Sequence, residues 1–155
     1  MILFSNPYLD TSHQDNDMSF PQMIEWATAV NTAIAPLGFP DALHYLMKER
    51  KMTVEHLEEA SLISTRTIIR LSNDSEYGVT REHIVALSVG LTLPPIISTG
   101  LLWKAGLVMK NTALHNTYRM ILCAMYASKI ETVNDFLISL GFSPLTKLAA
   151  MGCRK

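Results

Sequence analysis

Apolar residues recur along the chain at helical spacing, and no stretch alternates with the period of two that a strand requires. Ser19 stands three residues before Gln22, with Pro21 between them, so a capping box opens the first helix. Ile24, Ala27, Thr28 and Asn31 follow its period weakly, and Pro36, Gly38 and Pro40 close it. Asp41 reads as the cap of the next helix, with Leu43, Leu46, Met47 and Arg50 at i, i+3, i+4 and i+7. Thr53, Ser64 and Thr80 read as caps of three more, the last with Ile84, Leu87, Ser88 and Leu91 on one face. Pro94-Pro95 starts a helix that ends near Gly106, and Asn111 or Thr112 opens another carrying Leu114, Tyr118, Ile121, Leu122 and Met125. Ser128-Lys129-Ile130-Glu131 reads as a second capping box, opening a final helix that stops at Gly141. The expected fold class is all-α.

Composition narrows this picture. Of the 155 residues, 48% are hydrophobic and only 17% charged, which is ample material for one buried core. Residues 1–18 are acidic and aperiodic and are expected to be a disordered arm; 19–40 form the N-terminal helix and linker. Residues 41–110 form the central domain, 111–145 a helical hairpin with an apolar stripe (Ile130, Val133, Phe136, Leu137, Leu140), and 146–155 a frayed basic tail. That stripe must pack back on the core or pair with a second copy. Ile84 to Trp103 is uncharged and long enough for a membrane span. Pro94-Pro95 interrupts it, so two short buried helices meeting at a corner are expected instead, and no membrane partner. MILFSNPY lacks the basic start of a signal peptide, and Cys123 and Cys153 read as free thiols in the cytoplasm.

Catalytic and metal chemistry find little support. The histidines (His13, His44, His56, His83, His115) are dispersed, and Asp15-Asn16-Asp17 lacks the glycine and glutamate of a calcium loop. Without a Gly-rich phosphate loop, a nucleophile elbow or a carboxylate pair, the expectation is a non-enzyme with no cofactor and no metal.

The informative stretch is MTVEHLEEASLISTRTIIRLSND, Met52 to Asp74. Two short helices joined by Leu62, Ile63 and Ser64 make a tight corner, with Leu57, Ile63, Ile68 and Leu71 spaced to meet inside it. Thr65, Arg66, Thr67 and Arg70 form the outer face of the second, and no carboxylate lies between Ser64 and Asn73. Arginine forks onto guanine, and hydroxyls and helix N-terminal amides reach bases or phosphates.

Residues 41 to 92 resemble the phage-repressor-like helix-turn-helix family, the xenobiotic-response-element type. The likeness runs through LHYLMKERKM, TVEHLEEAS, the Ile63-Ser64 joint, TRTIIRLSND and TREHIVALSVGLTL. It implies a lambda-repressor-like bundle, here with an added N-terminal helix and a C-terminal hairpin. It also implies a transcription regulator binding double-stranded DNA; the few cations and the apolar stripe add the expectation of a homodimer. Carried over position by position, it assigns base reading to Thr65, Arg66, Thr67 and Arg70, and phosphate contact to Thr53 and Asn73. Ser64 belongs to the same set as the residue that opens the reading helix.

Three positions depart from the family pattern. Val54 replaces a glutamine, Glu58 a small residue and Leu62 a glycine. Leucine in a left-handed turn costs about 1–2 kcal/mol, which favours another turn geometry. Glu58 is expected to lean outward or to meet Arg66 or another cation. Charge also limits affinity: residues 1–40 carry four acids and no base, 41–110 eight of each, and 111–155 five bases and two acids. With only Arg66 and Arg70, helped by Lys48, Lys51 and Arg81, binding is expected to be weak, salt-sensitive and dimer-dependent. The alternative is a helix-turn-helix scaffold retained as a protein-interaction or oligomerisation module.

Overall fold

A computed structural model describes residues 19–152. Among them lie nine helices and no strand: α1 (Phe20–Ile34), α2 (Phe39–Glu49), α3 (Val54–Ser61), α4 (Thr65–Asn73), α5 (Arg81–Gly90), α6 (Pro95–Lys104), α7 (Ala113–Ala124), α8 (Ile130–Ser139) and α9 (Lys147–Gly152). The residues assigned to an acidic arm, with Cys153, Arg154 and Lys155, lie outside the described residues.

Side-chain caps set most of the helix starts. The Ser19–Gln22 box forms in both directions. Thr53, Ser64, Thr80 and Thr112 each accept from the amide three residues on, so Thr112, not Asn111, opens α7. A cap contributes about 1 kcal/mol, whereas one fully buried leucine contributes about 1.5–3 kcal/mol. Caps therefore place boundaries, and the shared core supplies the stability.

Several boundaries differ from the sequence pattern. α1 stops at Ile34, and Lys104 Nζ donates to the carbonyls of Ile34 (2.7 Å), Ala35 (3.2 Å) and Leu37 (2.7 Å). An ammonium with three donors thus closes the negative end of α1. α2 begins earlier than expected, behind Gly38; Pro40 lies in its first turn and Asp41 is an acid within that turn, not the cap. Phe39 is buried, and gaining it extends the apolar face by a turn. At α8 the expected capping box does not form: Lys129 occupies the cap position, and its side chain makes no capping hydrogen bond. The tail is helical from Lys147 to Gly152 and anchored by buried Leu145 and Ala149, rather than frayed.

α5 is the centre of the bundle, packed against α3, α6, α7 and α8. Every residue from Ile84 to Gly90 is buried, so the single apolar face read from its sequence understates it. Gly90 permits the closest approach: a Cβ there would sit 2.9 Å from Ser61 Cβ, at the end of α3. α4 lies against α2 and α3, while α1 lies against α6 and α2. Ile130, Val133 and Leu137 are buried and α8 packs on α5, so these three positions of the stripe are used within the chain, whereas Phe136 is half-buried and Leu140 is 50% exposed. α5 and α6 are separate ten-residue helices, and no helix among the described residues is long and apolar enough to cross a membrane.

The start of α5 carries a pH-sensitive cap. Thr80 N donates to His83 Nδ1 (3.2 Å), His83 N donates to Thr80 Oγ1 (3.1 Å), and the imidazole stacks on Tyr77. Burial lowers the His83 pKa from its ordinary 6.5, with Glu82 partly opposing. Below pH 6.5 the unfolded chain therefore takes up a proton that the folded chain resists, and stability falls as pH falls through that window. The melting temperature is expected to drop more between pH 7 and pH 5 in the native chain than in His83→Gln, where glutamine keeps the box without titrating. Parallel profiles would contradict this assignment.

Candidate nucleic-acid interface

The corner between α3 and α4 closes as its sequence implies. Leu57, Ile63, Ile68 and Leu71 are all buried inside it. Leu62, however, does adopt the left-handed conformation, with φ 56° and ψ 31°. That geometry lets α4 start after only three intervening residues, Leu62, Ile63 and Ser64. Three interactions offset the conformational cost. Leu62 N donates to Glu58 O (2.8 Å), the Thr146 hydroxyl donates to Leu62 O, and the side chain packs on the core. The residue just before α9 thus holds the turn in place.

Glu58 neither leans outward nor pairs with Arg66. Its Oε2 accepts from Thr65 N at 2.5 Å, the first amide of α4. A carboxylate is favourable at the positive end of a helix. The same contact occupies the amide that was expected to receive a phosphate, and it adds a negative charge there.

Ser64 is consumed by the fold. Its Oγ accepts from Thr67 N (3.3 Å) and donates its one hydrogen to Thr67 Oγ1 (2.9 Å), leaving none for DNA. Thr53 accepts from His56 N but keeps its own hydroxyl hydrogen, and it is exposed. Thr67 likewise keeps a hydrogen, though it and Thr65 are only half-exposed.

Arg66, Arg70 and Asn73 are exposed on one side of α4. Arg66 makes no hydrogen bond to any described residue. The Arg70 guanidinium lies 5.0 Å from the centre of the Tyr77 ring, which braces it while leaving its donors free. Asn73 Oδ1 lies 3.1 Å from His44 Nε2 of α2; with the imidazole donating, the Asn73 amide nitrogen remains a donor. Of the helper cations, Arg81 is tied to Val108 O (2.7 Å), whereas Lys48 and Lys51 are exposed. Among the described residues no group of three metal-ligating side chains occurs, and Cys123 is an exposed free thiol.

Two parts of this face escaped the sequence reading. Ile69 is 48% exposed between the arginines, and the Thr65, Ile69, Asn73 spacing does place it there. Tyr77 reaches Arg70 through the loop after α4, and no local period reports such a contact.

The fold and this surface define an all-α protein that presents a cationic helix at a tight corner. The chain matches no protein-family model, no curated protein and no solved structure.

Proposed function

We propose that the chain is a sequence-specific DNA-binding regulator of the helix-turn-helix type, with a lambda-repressor-like corner and α4 as the recognition helix. The observation that carries this is the outward side of α4, where Arg66, Arg70 and Asn73 project and no carboxylate lies between Thr65 and Asn73. In the major groove, Arg66 forks onto guanine O6 and N7 while Arg70, held by Tyr77, takes a second base or a phosphate. Thr53 donates its hydroxyl to the backbone, and Thr65 and Thr67 sit at the groove edge. A cytoplasmic homodimer completes the proposal, because one protomer offers few cations. Two copies would fit half-sites about 34 Å apart.

Salt dependence tests this directly. If Arg70, Lys48 and Lys51 supply all the phosphate neutralisation while Arg66 reads a base, the slope of log K against log salt is no steeper than about −2.7 per protomer. Measurable binding at low salt with a slope in that range is expected, and no binding at low salt would contradict the proposal.

A second reading, the scaffold as a protein-interaction module, is favoured by one observation: Glu58 occupies the α4 amide that a phosphate would use. The two readings part at Glu58→Gln. Glutamine can still accept from Thr65 N but without charge, so the melting temperature falls by the equivalent of about 0.3–1 kcal/mol. On the DNA-binding proposal the same change tightens binding, because one negative charge leaves the groove-facing end. Calorimetry and a duplex titration on the same variant check both signs. Lower stability with no gain in DNA affinity favours the interaction module.

A further inference from the structure

We infer that Ile69 reads the methyl group of a thymine in the major groove, which makes thymine next to the guanine contacts part of the recognised sequence. The inference rests on the DNA-binding proposal above. Ile69 is 48% exposed, and it is flanked on the surface by Thr65, Arg66, Arg70 and Asn73, all within four residues of it. The flanking residues are themselves cationic or polar, the complement of a phosphate-lined groove, with the Glu58 carboxylate bound to Thr65 N at one end of the set.

Chemistry then restricts what Ile69 meets. Its side chain has no donor or acceptor, so pressing it on guanine O6, adenine N6 or cytosine N4 strips water from a polar group and returns no hydrogen bond. The thymine C5-methyl is the one apolar group on the major-groove edges of the four bases. Geometry fixes the neighbourhood as well. Helix rise is about 1.5 Å per residue, so Ile69 stands about 4.5 Å along the axis from Arg66 and about 1.5 Å from Arg70. Base pairs are about 3.4 Å apart, which places the thymine within about two pairs of a base forked by arginine.

The test uses the intact chain and the duplex it selects from a random pool. Each thymine is replaced in turn by uracil, which removes only the methyl, and affinities are measured for the native chain and Ile69→Ala. Because Ile69 is on the surface, unchanged melting of the variant confirms that it folds. One thymine near a guanine is expected to cost the native chain about three- to fivefold when replaced, the value of one buried methyl group. Ile69→Ala is expected to lose at least that factor on the thymine duplex and to be indifferent to uracil at that position. If uracil costs both proteins equally everywhere, the Ile69 assignment is overturned while the DNA-binding proposal stands. If no duplex is selected, the DNA-binding proposal fails and takes the assignment with it. An Ile69→Ala variant that changes oligomeric state but not DNA affinity would also overturn the assignment.

Discussion

Truncating Ile68 to alanine is expected to lower the stability of the folded chain by about 2–5 kcal/mol. Ile68 is fully buried at the point where α4 turns its apolar side onto α2 and α3. Removing three carbons there forfeits transfer energy and leaves a cavity that rigid neighbours cannot fill. Leu43, Leu46, Leu57 and Leu71 belong to the same buried core and are themselves held on three different helices. Urea unfolding monitored by circular dichroism checks it: the midpoint should fall with little change in slope. A loss under about 1 kcal/mol would mean that α4 is not anchored as described. Ile69→Ala, one residue away and exposed, should cost far less, so the pair separates the anchoring side of α4 from the presented side.

Replacing Arg66 with alanine is expected to cost about 1–3 kcal/mol of binding to a selected duplex and to relax discrimination at one base pair. Arg66 is exposed and makes no hydrogen bond to a described residue, so its removal leaves the scaffold intact and the melting temperature close to that of the native chain. Arg70 differs, because its guanidinium rests on Tyr77 and its loss also removes a contact with the loop after α4. Affinities for the selected duplex and its single-base variants decide the matter. A uniform loss over all bases would make Arg66 a phosphate contact, and an unchanged affinity would remove α4 from the groove.

The sequence carried most of the helical boundaries because they depend on local chemistry. Thr53, Ser64 and Thr80 each cap from a hydroxyl to an amide three residues away, a relation visible in one dimension. Two boundaries that the local pattern misplaces are decided at a distance. Asp41 looked like a cap, yet burying Phe39 carried α2 a turn further back. The tail helix is held by Thr146 bonding to Leu62 and by burial of Leu145 and Ala149, contacts that the local pattern does not report. The same division holds at the surface proposed to meet DNA. Exposure of Arg66 and Arg70 follows from helical period alone. The destination of Glu58 does not, because its partner amide lies across a turn whose left-handed geometry a leucine at position 62 disfavours. Ile130, Val133 and Leu137 of the hairpin stripe pack within the chain, where α8 meets α5, a choice between core and second copy that the helical period alone leaves open, and Leu140 stays exposed.

The most direct test is selection of duplex DNA from a random pool by the intact chain at low salt, repeated with the combined Arg66→Ala and Arg70→Ala variant. Presentation of α4 to the major groove predicts an enriched motif containing guanine, repeated with two-fold symmetry about ten base pairs apart, and its loss in the double variant. A pool that stays random with the native chain, or a motif that survives removal of both arginines, would contradict it.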